Sequence, residues 1–394
     1  MTTKRQKHTI RDHDLHWMRE ALRLARRGLG ATSPNPMVGA VLVKGGKIIG
    51  RGWHRRAGLP HAEIEALRDA QKRGHNPRGA TLCVTLEPCC THGRTPPCTD
   101  AIIAAGIKRV VIGATDPNPK HSGRAFKILK PAGIDVVRGI LADECAKLNE
   151  AFNHWIVRRT PFVTVKAAMT LDGKIAAASG ESKWITGEKA RAHGMKLRRG
   201  SDAILAGINT ILADDPSLTA RSGKNIQHST FNAQPPRLRR IILDSMARTP
   251  PGAKVVSDEF AALTTVVVGK FAPKNRVAAL ARRVNVVVAP AKNPHSALRA
   301  PQLDLRWLLK KLGAENVTSL LVEGGGEVNA SFLLGGLAQR VAFFYAPKIL
   351  GGRDSRKAVA GCGAKSLADA ISLRDVEWKQ LGPDLLLTAK VAAG

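Results

Sequence analysis

His61-Ala62-Glu63 at the head of an apolar-periodic segment, Glu87-Pro88-Cys89 behind the apolar run Ala80-Thr81-Leu82-Cys83-Val84-Thr85-Leu86, and then Cys98 decide how this chain folds. Residues 61 to 70 carry the spacing of a helix, residues 80 to 86 that of a buried strand, and residues from Cys98 to about Ala105 that of a second helix. One imidazole and two thiolates form the donor set of a catalytic zinc that keeps its fourth position for water. Such a metal lowers the pKa of its water to about 7. Glu63, two residues beyond His61 at the helix start, is placed to move protons without ligating.

Together these residues form the His-x-Glu with Pro-Cys constellation of zinc deaminases that act on nucleobases. A lone histidine, or two cysteines nine apart, would be ordinary core residues, but here the parts occur in order, each beside a helix start. The commoner signature places its cysteines as Cys-x-x-Cys; here eight residues separate Cys89 from Cys98. Cys90 adjoins a ligand and is left out as a spectator thiol, because neighbouring side chains seldom face one ion.

Outward from this core, 394 residues suggest two domains, with 1–158 and 159–394 as the expected division. No apolar run approaches the length of a membrane helix, and the basic start lacks the apolar core of an export signal. Six cysteines, four of them between 83 and 98, do not make a disulfide framework and read as reduced, so a cytoplasmic protein is expected. The net charge of +31 is spread evenly: 28 Lys and Arg oppose 13 Asp and Glu in residues 1–160, and 34 oppose 18 in the remainder. With only 4% aromatics, platforms for stacking bases are scarce, so no nucleic-acid partner is expected; a phosphorylated small substrate would benefit from the same field.

In chain order, 14–29 reads as a helix, 37–43 and 47–52 as a hairpin joined at Gly45-Gly46, and 107–112 as a further strand. Asn35 stands just before the hairpin, where its amide could read the edge of a base. Residues 143–159 read as one helix leaving the first domain. A second α/β pattern restarts at Phe162, with strands near 162–169, 203–205, 240–243, 264–268, 284–288, 319–322 and 341–346 and a surface loop over 227–236. Glu323-Gly324-Gly325-Gly326 follows an apolar strand and precedes a helix, a weak phosphate signal and not a Rossmann fingerprint.

Pro34-Asn35-Pro36-Met37-Val38-Gly39, His61-Ala62-Glu63 and Glu87-Pro88-Cys89 through Pro97-Cys98 resemble the deaminase motifs of the bifunctional riboflavin-biosynthesis deaminase/reductase family. Lys166, Leu171-Asp172-Gly173-Lys174, Ser182-Lys183-Trp184, Asp214-Asp215-Pro216, Leu243-Asp244-Ser245 and Val322-Glu323-Gly324-Gly325 resemble its reductase module. The resemblance spans nearly the whole chain. It implies a cytidine-deaminase-like three-layer sandwich followed by a dihydrofolate-reductase-like α/β domain, with Zn2+ and NADPH as cofactors. By resemblance, Ala168, Trp184, Thr210, Asp214, Ser245 and the loop from Gly325 hold NADPH, while Ser182, Arg198, Leu218, Arg221 and Glu323 hold substrate. Arg198 and Arg221 would grip its phosphate. The implied substrate is a diaminopyrimidinone carrying a ribosylamino 5-phosphate, deaminated at the zinc site and then reduced from ribosyl to ribityl. Cys90-Thr91 departs from the Ser-His frequent in the family. The competing expectation is an RNA-editing deaminase with a basic RNA-binding C-terminal half, and the state of homo-oligomerisation stays open.

Overall fold

The computed structural model describes residues 12–91, 96–220, 238–290 and 303–392, and the chain divides into two compact units, Met1–Arg159 and Thr160–Gly394. The 227–236 segment, and Gly93, Arg94 and Thr95 of the deaminase motif, lie outside the described residues.

In the first unit, strands β1 (Gly39–Lys44), β2 (Lys47–Trp53), β3 (Thr81–Leu86), β4 (Arg109–Ala114) and β5 (Asp135–Arg138) form one sheet in the order β2-β1-β3-β4-β5. β1 runs antiparallel to both neighbours, whereas β3, β4 and β5 are parallel. Alternation along each strand sorts side chains to two faces. Ala40, Leu42, Leu82, Val84, Val110 and Ile112 pack with the helices Ala62–Lys72, Cys98–Ala104 and Arg124–Leu129. Val41, Val43, Cys83, Val111 and Val137 pack with Asp12–Ala25 and Ala142–Leu148. Three layers result.

Close approach of one helix to this sheet places the site. A Cβ on Gly52 would collide with the carbonyl of Ala62, and one on Gly50 with that of Ala66. The bare backbone of β2 therefore lets the helix Ala62–Lys72 lie directly on it, which sets where His61 and Glu63 emerge.

The single helix expected over 143–159 is in fact two, Ala142–Leu148 and Glu150–Arg158, broken at Asn149. The cause is Asn149 itself, whose buried amide forms a two-bond clamp on the Met37 backbone: Met37 N donates to Oδ1 at 2.7 Å and Nδ2 donates to Met37 O at 2.8 Å. An asparagine that bonds backbone elsewhere competes with continuing its own helix.

The second unit is a larger α/β layer. Its strands are β6 (Phe162–Thr170), β7 (Lys174–Ala176), β8 (Ala203–Gly207), β9 (Arg239–Leu243), β10 (Thr264–Gly269), β11 (Asn285–Ala289), β12 (Ser319–Val322), β13 (Arg340–Ala346), β14 (Arg356–Lys357), β15 (Leu373–Leu381) and β16 (Asp384–Val391). Nine of them form a sheet in the order β11-β10-β9-β8-β12-β6-β13-β16-β15, and β7 pairs with β14. The seven from β11 to β13 are parallel, and the β15–β16 hairpin closes one edge antiparallel. Leu308, Leu312, Phe332 and Leu333 cover one face. Ile208, Ile211, Val255 and Leu280 cover the other.

Candidate active site

In the first unit the loop after β3 delivers Cys89, while His61 caps the helix Ala62–Lys72 and Cys98 opens the helix Cys98–Ala104. One donor atom from each of the three lies within 4.8 Å of the other two. Cys89 Sγ and Cys98 Sγ each stand 3.4 Å from His61 Nδ1, and the Cys98 backbone N–H points at Cys89 Sγ from 3.3 Å. Two soft sulfurs and one imidazole converging on one point fit a zinc ion with an open fourth position.

Charge is already arranged there. The hydrogen bond from Cys98 is the largest influence on Cys89, and with His61 it outweighs burial and brings that thiol down to about 4. The same contact pushes the Cys98 thiol up. His61 rises to about 9, chiefly through its bond to Cys89. Glu63 is only 3% exposed and in contact with Cys98; burial raises its carboxyl pKa above the ordinary carboxylate value. A raised carboxyl beside a metal site is suited to carrying a proton between water and a leaving group.

Asn35 is held at the same place by a residue that the sequence did not single out. Its Nδ2 lies 3.1 Å from His54 Nε2, and His54 Nδ1 lies 3.1 Å from the carbonyl of Pro60, the residue before His61. A carbonyl can only accept, so Nδ1 carries the proton and Nε2 accepts from Asn35. Burial lowers the pKa of His54, and its ring meets that of His61 edge-on at 5.3 Å. Cys90 is not in the ligand cluster; its Sγ lies 3.6 Å from His121 Nδ1.

In the second unit, the C-terminal ends of adjacent parallel strands carry most of the expected cofactor residues. Thr210 lies in the helix Ile208–Asp214 that follows β8, Ser245 follows β9, and Gly325 caps the helix Gly326–Leu333 after β12. Carboxyl ends of parallel strands are where ligands bind in open α/β sheets. Gly325 borders open space on its Cβ side, whereas a Cβ on Gly324 would meet Val328. Gly324 thus serves packing, and Gly325 leaves the helix N-terminus accessible to a phosphate-bearing cofactor such as NADPH. Ala168 lies on β6, partly buried against the cluster of Ala190, Ala342 and Phe344. Trp184 is 67% exposed, with the Arg191 guanidinium 4.8 Å from its ring. Asp214 accepts from Ser182 Oγ at 3.3 Å and stands 3.8 Å from Lys183 Nζ.

Arg198 does not present its fork to an external phosphate. It donates Nε and Nη2 to the two carboxylate oxygens of Glu323 at 2.8 and 2.9 Å, and Nη1 to the carbonyl of Thr219. Lys166 Nζ adds a third contact to Glu323 at 3.3 Å. Burial raises the Glu323 carboxyl, but Lys166 and Arg198 together overcome it and hold the group near 2. Leu218 is buried with φ +49°, a left-handed position that turns the chain back after Asp214-Asp215-Pro216. Arg221 lies outside the described residues.

Comparison with known proteins agrees in both halves. Residues 11–114 match the cytidine and deoxycytidylate deaminase zinc-binding region, and residues 161–387 match the RibD C-terminal domain. The riboflavin biosynthesis protein RibD of Actinobacillus pleuropneumoniae is 42% identical over 376 residues, covering 95% of this chain and 94% of that protein. The chain belongs to the RibD family. Acinetobacter baumannii RibD superposes with a TM-score of 0.81 at 37% identity, covering 96% of this chain and 99% of the other. A Thermotoga maritima protein described as a diaminohydroxyphosphoribosylaminopyrimidine deaminase/5-amino-6-(5-phosphoribosylamino)uracil reductase superposes with a TM-score of 0.78 at 36% identity, with coverages of 96% and 99%. The fold class is that of the RibD family, a cytidine-deaminase-like sandwich followed by a dihydrofolate-reductase-like α/β domain. Zinc and NADPH are the cofactors that go with these two domains. Among the described residues no helix is long and apolar enough to cross a membrane.

Proposed function

We propose that this chain performs two successive steps of riboflavin biosynthesis on a free phosphorylated pyrimidine. The first is hydrolytic deamination of 2,5-diamino-6-ribosylamino-pyrimidinone 5'-phosphate, assigned to residues 1–158. The second is NADPH-dependent reduction of the ribosyl group to ribityl, assigned to residues 159–394. The observation that carries this reading is the convergence of His61, Cys89 and Cys98 within 4.8 Å beside a buried Glu63, in a chain with the RibD C-terminal domain.

His61 Nδ1, Cys89 Sγ and Cys98 Sγ would hold the zinc ion. Bound there, Zn2+ makes a hydroxide nucleophile available at neutral pH. Glu63, buried beside the three ligands, takes the proton of the attacking water and hands it to the departing ammonia. Asn35, oriented by His54, reads the pyrimidine edge with its carbonyl oxygen and the one N–H that the bond to His54 leaves over.

In the second half NADPH supplies the hydride that reduces the opened ribose. Thr210, Ser245 and the Gly325 turn, at the ends of β8, β9 and β12, would hold the cofactor together with Ala168, Trp184 and Asp214. Glu323, fixed by Arg198 and Lys166, would face the substrate together with Ser182 and Leu218; a role for Arg221 rests on the family likeness alone. A preset carboxylate of this kind can orient a polyhydroxylated chain without paying reorganisation during the reaction. The evenly spread positive charge attracts a phosphorylated small molecule.

Zinc analysis of the purified chain, combined with ammonia release and NADPH oxidation on the diaminopyrimidine phosphate, tests the proposal. Stoichiometric zinc with both turnovers is expected. Ammonia release from tRNA but not from the free nucleotide would instead support an RNA-editing enzyme.

A further inference from the structure

A buried carboxylate two residues before Cys89 has no part in the chemistry described above. Glu87 is 3% exposed, and its acceptors are filled by backbone N–H groups. Oε2 accepts from Asp116 N at 3.2 Å and Gly123 N at 3.0 Å, and Oε1 accepts from Ala125 N at 3.1 Å. Its own N–H donates to Ala114 O at the end of β4. All three donors belong to the segment that leaves β4, loops through Asp116-Pro117-Asn118-Pro119, and enters the helix Arg124–Leu129.

That segment is internally braced. Asn118 N donates to Asp116 Oδ1 at 2.8 Å, and His121 N and Ser122 N both donate to Asn118 O. It is therefore tied together as one piece, and it places His121 within 3.6 Å of Cys90 Sγ. On the other side, Cys89 is tied to the helix Cys98–Ala104 by Thr99 N to Cys89 O and Cys98 N to Cys89 Sγ. Pro88, with its ring-locked φ, connects Glu87 rigidly to Cys89.

We infer that Glu87 is a positioning residue of the deaminase half: its carboxylate clasps the Asp116–Ala125 segment to the end of β3 and so fixes the direction in which Cys89 presents its sulfur. This rests on the deaminase reading of the first unit. The chemistry requires a carboxylate, because donors address both oxygens. A carboxamide has one acceptor oxygen, and its NH2 would confront at least one backbone N–H. Glu87→Gln, nearly equal in shape, thus separates clasping from space filling.

The test uses the full chain, with the reductase half as an internal control. In Glu87→Gln, zinc release to a chromogenic chelator should quicken about tenfold, the scale found when groups orienting metal ligands are removed. The deaminase kcat should fall by a similar factor, and NADPH-dependent turnover of the deaminated nucleotide should stay at the wild-type rate. Hydrogen exchange on the wild-type chain is independent of how the variant folds. The amides of Asp116, Gly123 and Ala125 should be strongly protected there. Wild-type zinc release and kcat in Glu87→Gln, equal loss of both activities, or rapid exchange of those three amides in the wild type would each overturn the inference. A wild-type chain without zinc or deamination would instead refute the reading beneath it.

Discussion

In the first unit, three ligand atoms from two short stretches of chain meet within 4.8 Å, whereas in the second most candidate cofactor residues are distributed over the ends of three neighbouring strands, with Ala168 on β6 and Trp184 beyond β7. The difference follows from what each half must hold. A metal ion needs a few strong donors aimed at a point, so its chemistry sits in identifiable side chains. A dinucleotide is long and is met largely by backbone edges, helix N-termini and small residues. Removing one group should therefore be severe in the first half and graded in the second.

The sharpest break is Glu63→Gln. Deamination should fall about a thousandfold, within the range attributed to positioned proton transfer, while zinc content and NADPH-dependent reduction persist. Retained deamination would remove the proton-carrying role. Arg198→Ala should come next. It leaves Glu323 with Lys166 alone in a largely buried place, and loss of one partner of such a pair costs about 3 kcal/mol. Denaturant unfolding of the second unit should show that shift, with the deaminase rate unchanged.

Acid offers a quieter version of the same contrast. Glu323 is held near 2, below the 4.5 of a free glutamate, so its stabilising contribution is complete above pH 4.5 and disappears as pH falls through 2. The urea midpoint of the second unit should drop across that window in the wild type and drop less in Glu323→Gln. The smallest effect is expected from Asp214→Ala. Its contacts with Ser182 and Lys183 are long and partly exposed, so the NADPH KM should rise by about tenfold, the low end for one hydrogen bond to a charged group, with ammonia release untouched. An unchanged KM would take Asp214 out of the cofactor site.

The same contrast explains what the sequence disclosed. His61, Cys89 and Cys98 could be recognised from donor chemistry and order along the chain, and most strands from their apolar runs. Thr210, Ser245 and Trp184 could not: their environment depends on which strands become neighbours, and only resemblance to a family named them. His54 was missed because its signal is a contact with Asn35 from nineteen residues away. The break at Asn149 was missed because the residue that interrupts the helix is bonded to Met37, far earlier in the chain. β15 and β16 were missed as well. The first is exposed on seven of its nine residues and charged on four, so it lacks the apolar alternation of a buried strand. Arg198 and Glu323 are both named by family likeness, but not as a pair, since a guanidinium fork matches a phosphate and a carboxylate equally well.

The Asn149 clamp bears on how this gene could be divided. A cut after codon 159 would leave both arms of the clamp in one polypeptide, and a free-standing deaminase would keep the Pro34–Met37 turn in shape. A cut before codon 149 would strip Met37 of both bonds and release the turn that carries Asn35. A division of the chain that keeps this clamp within one polypeptide must therefore fall downstream of that asparagine.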